Sequence, residues 1–148
     1  GLSQMYYVFT ALLRTDRHFA VDVMARIDRD WGMMLWRGAT SFWETVDGAA
    51  AFGGAGSLSH GWSAIPVYMY YAHLLGVRPL SPGFRTFAID PMTDAAPACS
   101  GTVPVPGGAI KLAWTRTAGG TQYRVAHPGT CTPVLLDTEG TLLPMQEV

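Results

Sequence analysis

The chain has 148 residues, 49% of them hydrophobic and 14% charged, with a formal net charge of -1. This is enough apolar material for a packed core and too little charge for a disordered chain, and it allows one ordinary domain or two small ones. The near-neutral balance gives no electrostatic footprint for nucleic acid or an anionic membrane, and no apolar run approaches the roughly 20 residues that span a bilayer.

The opening "GLSQMYYVF" lacks the basic start and small-residue cleavage site of a signal peptide. It begins abruptly inside a helical pattern, which reads as a piece of a longer protein; the compartment is left open. In this first segment Met5, Phe9, Leu12 and Leu13 recur at helical spacing. Thr15 or Asp16 offers the next N-cap. The second helix carries an apolar stripe of Phe19, Val23, Met24, Ile27 and Trp31, with Arg26, Asp28, Arg29 and Asp30 on the wetter side. Gly32 is expected to end or bend it.

Residues 37–61, "RGATSFWETVDGAAAFGGAGSLSHG", are mostly small. A loop of this length in a compact domain is usually functional or mobile. A third helix is expected from about Trp62 to Leu75, with Pro66 near its first turn and Gly76 as its C-terminal cap. Its "VYMYYAHLL" is apolar on nearly every side, as in a helix buried between neighbours. Three helices cannot supply those neighbours, so further helices of the same protein or a second subunit are implied.

From Pro79 the texture changes to short runs punctuated by proline and glycine: "FRTFAID", "AIKLAWTRT", "TQYRVAH", "TPVLLD" and "TLLP". Ile110, Leu112 and Trp114 alternate with Lys111, Ala113 and Thr115, the period of a half-buried strand. Gly119-Gly120 predicts a hairpin into "TQYRV". The expected fold class is α+β: helices over 1–78, then a small antiparallel β-sandwich over 79–148. Cys99 and Cys131 have no metal-ligand spacing and read as free thiols.

The chemistry-bearing candidates lie in the long loop. Glu44 sits behind Phe42 and Trp43. Read alone, it is as readily an exposed loop carboxylate as a catalytic one. Asp47 in "VDG" reads as a turn former. Trp36, Trp43 and Trp62 could wall a sugar pocket, whereas Trp31 and Trp114 read as core. His73 reads as packing. "AFGGAGS" has no preceding strand and no lysine, so it is not a phosphate loop. "SLSHG" lacks the context of a serine nucleophile. No cluster with metal-ligand spacing is present, and no cofactor is implied.

Three stretches taken in order, "WGMMLWRGATSFWETVDG", "SLSHGWSAIPVYMYYAHLLGVRPLSPGFRTFAIDP" and "PGGAIKLAW", resemble the C-terminal portion of bacterial α-L-rhamnosidases. The resemblance runs from Trp31 to Trp114 and extends weakly to both ends. It implies the last helices of a toroid of six helical hairpins, followed by a β-sandwich, and a carbohydrate substrate. Glu44 then matches the family's general base, and His60 matches the histidine that begins the next helix and lines the sugar subsite. Ser59, Gly61 and Val46 depart from the family's usual asparagine and two aromatics, which leaves the sugar open.

On this reading the chain is part of an inverting glycosidase whose general acid lies upstream, and it is inactive alone, with its bare helical face inviting self-association. The alternatives are a non-catalytic carbohydrate-binding or structural module, and a toroid glycosidase acting on another sugar.

Overall fold

The computed structural model describes residues 1–137 and 140–144. The chain divides into two compact units, Gly1–Tyr68 and Met69–Val148. This division falls ten residues before the change of sequence texture at Pro79.

The first unit is built on α1 (Met5–Thr15) and α2 (Ala20–Trp36). Phe9 and Leu13 of α1 are buried, as are Val23, Met24, Ile27, Trp31 and Met34 of α2. The Phe9 and Trp31 rings lie 6.4 Å apart. Asp16 starts the turn between the helices, its carboxylate accepting from the His18 amide at 2.9 Å, as an N-cap residue does.

Two expectations for α2 are corrected. Gly32 neither ends nor bends the helix, which runs on to Trp36. The stop is Gly38, at φ +79°. There the Gly38 amide bonds Leu35 O and the Ala39 amide bonds Met34 O, each at 2.9 Å. That is the paired closure of a glycine-terminated helix. Asp30, expected on the wet side, is buried. Arg26 and Arg29 both donate to its carboxylate. Burial opposes its ionisation, but the two arginines outweigh burial and hold the carboxyl below its ordinary range.

The loop 37–61 holds a 3-10 turn at Gly48–Ala50 and a single turn, α3 (Ala51–Gly54). The expected third helix is interrupted. A 3-10 turn at Gly61–Ser63 precedes α4 (Ile65–Met69), and Tyr70–Leu74 forms a π-helical turn. Ile65, Met69, Ala72 and Leu75 are buried, while Val67, Tyr68, Tyr70 and Tyr71 are exposed. The all-round burial expected for this segment is therefore not met within this chain.

The second unit contains β1 (Val77–Pro79), β2 (Thr86–Ile89), β3 (Ala98–Val105), β4 (Gly108–Thr117), β5 (Gly120–Ala126), β6 (Thr132–Leu135) and β7 (Thr141–Pro144). They form two sheets, ordered β1-β2-β6 and β3-β4-β5-β7. The α+β class stands, but the pairing is mixed. β1-β2, β3-β4 and β4-β5 are antiparallel, whereas β2-β6 and β5-β7 are parallel. Parallel neighbours need crossovers. The chain makes them by switching sheets, passing through β3, β4 and β5 between β2 and β6, and through β6 between β5 and β7.

Ile110, Leu112 and Trp114 point inward and share one core with Val77, Phe87, Ile89, Tyr123 and Val125 from both sheets. The hairpin falls where expected, with Thr117 paired to Gly120. Trp114 Nε1 donates to Leu74 O at 3.0 Å. The Tyr123 hydroxyl donates to Asp137 Oδ2 at 2.7 Å. Burial, reinforced by that carboxylate, raises the Tyr123 pKa and keeps the phenol protonated. Gly76 closes the preceding turn at φ +83°. Cys99 and Cys131 are free thiols, and burial raises the Cys99 pKa.

Candidate active site

The long loop of the first unit is pinched shut at its base. Residues 42–44 and 57–60 run side by side. The Glu44 amide donates to Ser57 O at 2.9 Å and the His60 amide to Phe42 O at 2.7 Å. Ser41 Oγ donates to Leu58 O. The two candidates from the sequence, Glu44 and His60, therefore lie on adjoining stretches of one neck although 16 positions separate them. Both are half-buried. The neck closes an Ω-type loop over residues 45–56.

Glu44 is held at three points. Besides the amide bond, its carbonyl accepts from the Leu2 amide at 2.9 Å. Its carboxylate Oε2 accepts from the Ser57 amide at 3.3 Å. The side chain is thus oriented by the opposite strand of the neck.

Trp43, expected as a sugar wall, is only 8% exposed. The Arg37 guanidinium lies 5.5 Å from the ring centroid, at cation-π range. Arg37 Nη1 also donates to Val46 O at 3.2 Å. Gly48 is packed against the same indole, so closely that a Cβ there would meet Trp43 Cε3 at 2.9 Å. The indole is a pedestal under the loop. Trp36 and Trp62 stand open instead, at 92% and 79% exposure. Trp31 is buried, its Nε1 donating to Ser63 O at 2.8 Å.

Of the remaining acids of the first unit, Asp22 and Asp28 stand on α2, Asp22 in the wall of the groove between α1 and α2, and the other three have separate tasks. Asp16 bonds His18, and Asp30 bonds two arginines. Asp47 is exposed and precedes the 3-10 turn, its amide donating to Thr45 Oγ1 at 3.3 Å. No group of three His, Cys, Asp or Glu side chains among the described residues could hold a metal ion. A separate groove of about 490 Å³ runs between α1 and α2, lined by Met5, Val8, Phe9, Leu12, Val23 and Arg26. It includes neither Glu44 nor His60.

Sequence reasoning missed the Ser57 amide, Arg37 and the glycines of the loop. A backbone donor carries no residue signature. Gly48 and Gly56 looked like composition, because the space they must leave empty exists only in the folded loop.

Residues 76–146 match the family model of the bacterial alpha-L-rhamnosidase C-terminal domain. Over 104 residues, 66% of this chain, the sequence is 31% identical to an alpha-L-rhamnosidase of Alteromonas sp. (strain LOR). The chain is similar to the C-terminal portion of bacterial α-L-rhamnosidases. Its structure is similar to that of a GH78 family rhamnosidase of Bacillus sp. GL1, with a TM-score of 0.81 and 25% identity over 99% of this chain and 16% of the other. An α-L-rhamnosidase of Streptomyces avermitilis, solved in complex with L-rhamnose, shares the fold over 71% of this chain and 11% of its own, with a TM-score of 0.55 and 23% identity. The chain spans 11% of the length of its Alteromonas relative.

Proposed function

We propose that this portion of the rhamnosidase fold supplies the general base, Glu44, to an inverting α-L-rhamnosidase. The observation that carries the reading is the neck. It brings Glu44 beside the His60 stretch and fixes Oε2 on the Ser57 amide. Glu44 then removes a proton from a water that attacks the anomeric carbon on the face opposite the leaving group. A general acid elsewhere in the protein protonates the departing glycosidic oxygen. Those two carboxyl groups must stand roughly 6.5–9.5 Å apart to admit the water. His60 offers a hydrogen bond to a sugar hydroxyl, and the open Trp36 and Trp62 are candidates for apolar walls. The similarity to α-L-rhamnosidases supports L-rhamnose as the sugar.

The test is to follow hydrolysis of an aryl α-L-rhamnoside by the full-length protein with proton NMR. The first product is expected to be the β anomer. First formation of α-L-rhamnose would mean retention and would remove the water-activating base.

The Ser57–Glu44 bond also favours a second reading. Here Glu44 only clamps the loop, and the chain belongs to a non-catalytic carbohydrate-binding or structural module. Glu44→Gln separates the two, because glutamine keeps an oxygen for the Ser57 amide but cannot take a proton.

A further inference from the structure

We propose that Gly56 and Gly48 are positioning residues for Glu44, acting through the Ser57 amide; this rests on the reading of Glu44 as general base. The geometry is that of a stack. At the bottom lies the buried Trp43 ring, with the Arg37 guanidinium 5.5 Å from its centroid. Gly48 rests on that ring at φ +60°, and a Cβ there would lie 2.9 and 3.0 Å from the indole carbons Cε3 and Cζ3 and 3.3 Å from Leu58 Cδ2. Gly56 rests in turn on Gly48, where a Cβ would come within 1.9 Å of Gly48 O and 2.9 Å of Ala51 Cβ.

Neither approach is open to a residue with a side chain. The obstacle at Gly56 is backbone, which cannot swing aside as a side chain can. The residue after Gly56 is Ser57, whose amide and carbonyl both bond Glu44. A methyl group at 56 must therefore lift the Ser57 peptide off the Glu44 carboxylate. The stack runs from the indole through two bare α-carbons to the reacting oxygen's partner. It explains why glycine stands at positions 48 and 56. Catalytic geometry is sensitive to displacements of about 1 Å.

The experiment is Gly56→Ala in the full-length protein, assayed on an aryl α-L-rhamnoside with and without azide. Azide attacks the anomeric carbon as an anion and has no proton to lose, so it bypasses a misplaced base; a lost binding site or a misfolded protein gains nothing from it. We expect kcat to fall about 10- to 100-fold with KM within about threefold. Azide should restore turnover and yield the β-configured glycosyl azide. Gly119→Ala, in a turn where a Cβ meets nothing within 4 Å, should match the parent.

Glu44→Ala is run beside it. If azide does not rescue Glu44→Ala, the base assignment itself fails. If Glu44→Ala is rescued while Gly56→Ala is fully active, or is inactive and not rescued by azide although folded, the positioning role is overturned. Should Gly56→Ala not fold, an ester oxygen in place of the Ser57 peptide N–H decides. It removes the donor without adding bulk, and a parental kcat in that variant overturns the proposal.

Discussion

Trp114→Ala probes the sandwich core at its largest member. Trp114 is 1% exposed and packs with Ile110, Leu112, Phe87 and Tyr123. A buried tryptophan removes about 150–250 Å² from water, and at about 25 cal/mol per Å² this is roughly 4–6 kcal/mol before relaxation. Truncations of this kind cost about 3–5 kcal/mol. The substitution also deprives Leu74 O of the indole N–H that bonds it at 3.0 Å. That loss alone is worth about 1–3 kcal/mol if water cannot replace it. Trp114→Phe helps to tell the two contributions apart, since it keeps most of the apolar surface while losing the donor and a small part of the ring volume. Urea unfolding of the 148-residue chain, followed by tryptophan fluorescence and circular dichroism, should give a loss near 4 kcal/mol for alanine and about 1–2 kcal/mol for phenylalanine. A loss below about 1 kcal/mol for alanine, or equal losses for the two variants, would refute this account of the core.

Gly76→Ala should be as damaging as a core truncation, because φ is +83° and a Cβ would sit 2.2 Å from Pro91 N; about 2–4 kcal/mol in the same urea assay is expected, and a neutral result would mean that the turn relaxes freely. Asp30→Asn should cost about 1–2 kcal/mol at neutral pH, a value kept low because Arg26 and Arg29 reach solvent. Since the folded carboxyl is held below its ordinary range, this contribution is present above about pH 4 and fades as the pH falls through the folded value; the gap between paired melting curves should narrow as the pH is lowered below about 4, and a constant gap down to the acid limit of folding would contradict the ion pairing. The chain alone should neither hydrolyse aryl α-L-rhamnosides nor remain a monomer, since Trp36, Phe52 and Trp62 are exposed on one unit; a monodisperse monomer by light scattering, or turnover lost on Glu44→Gln, would contradict this.

The elements legible in the sequence were those with a strong period. The stripe of α2 and the alternation of β4 announce their buried faces, and Gly119-Gly120 announces the turn between β4 and β5. β3 was missed because "ACSGTVPV" has small residues and a proline where alternation would show. β1 was missed because "VRP" lies within the texture of the helical half. The parallel pairings of β6 and β7 were not legible, since a strand's pattern marks its faces and not the edge it joins. Asp30 was misplaced because its neighbours Arg26 and Arg29 suggested a wet face, when they fold over the carboxylate. Glu44 and His60 were picked out as candidates through their motif; the grip on Glu44 was invisible, being made by backbone.

The most direct test of the central claim is kcat for Glu44→Gln in the full-length protein, measured beside its melting temperature. Glutamine preserves size and an acceptor for the Ser57 amide, so the fold should hold and the melting temperature should stay within about 2 °C of the parent's. If Glu44 activates the attacking water, kcat falls by about 10²–10⁴-fold. A parental kcat in the folded variant would contradict the account and leave Glu44 as a loop clamp.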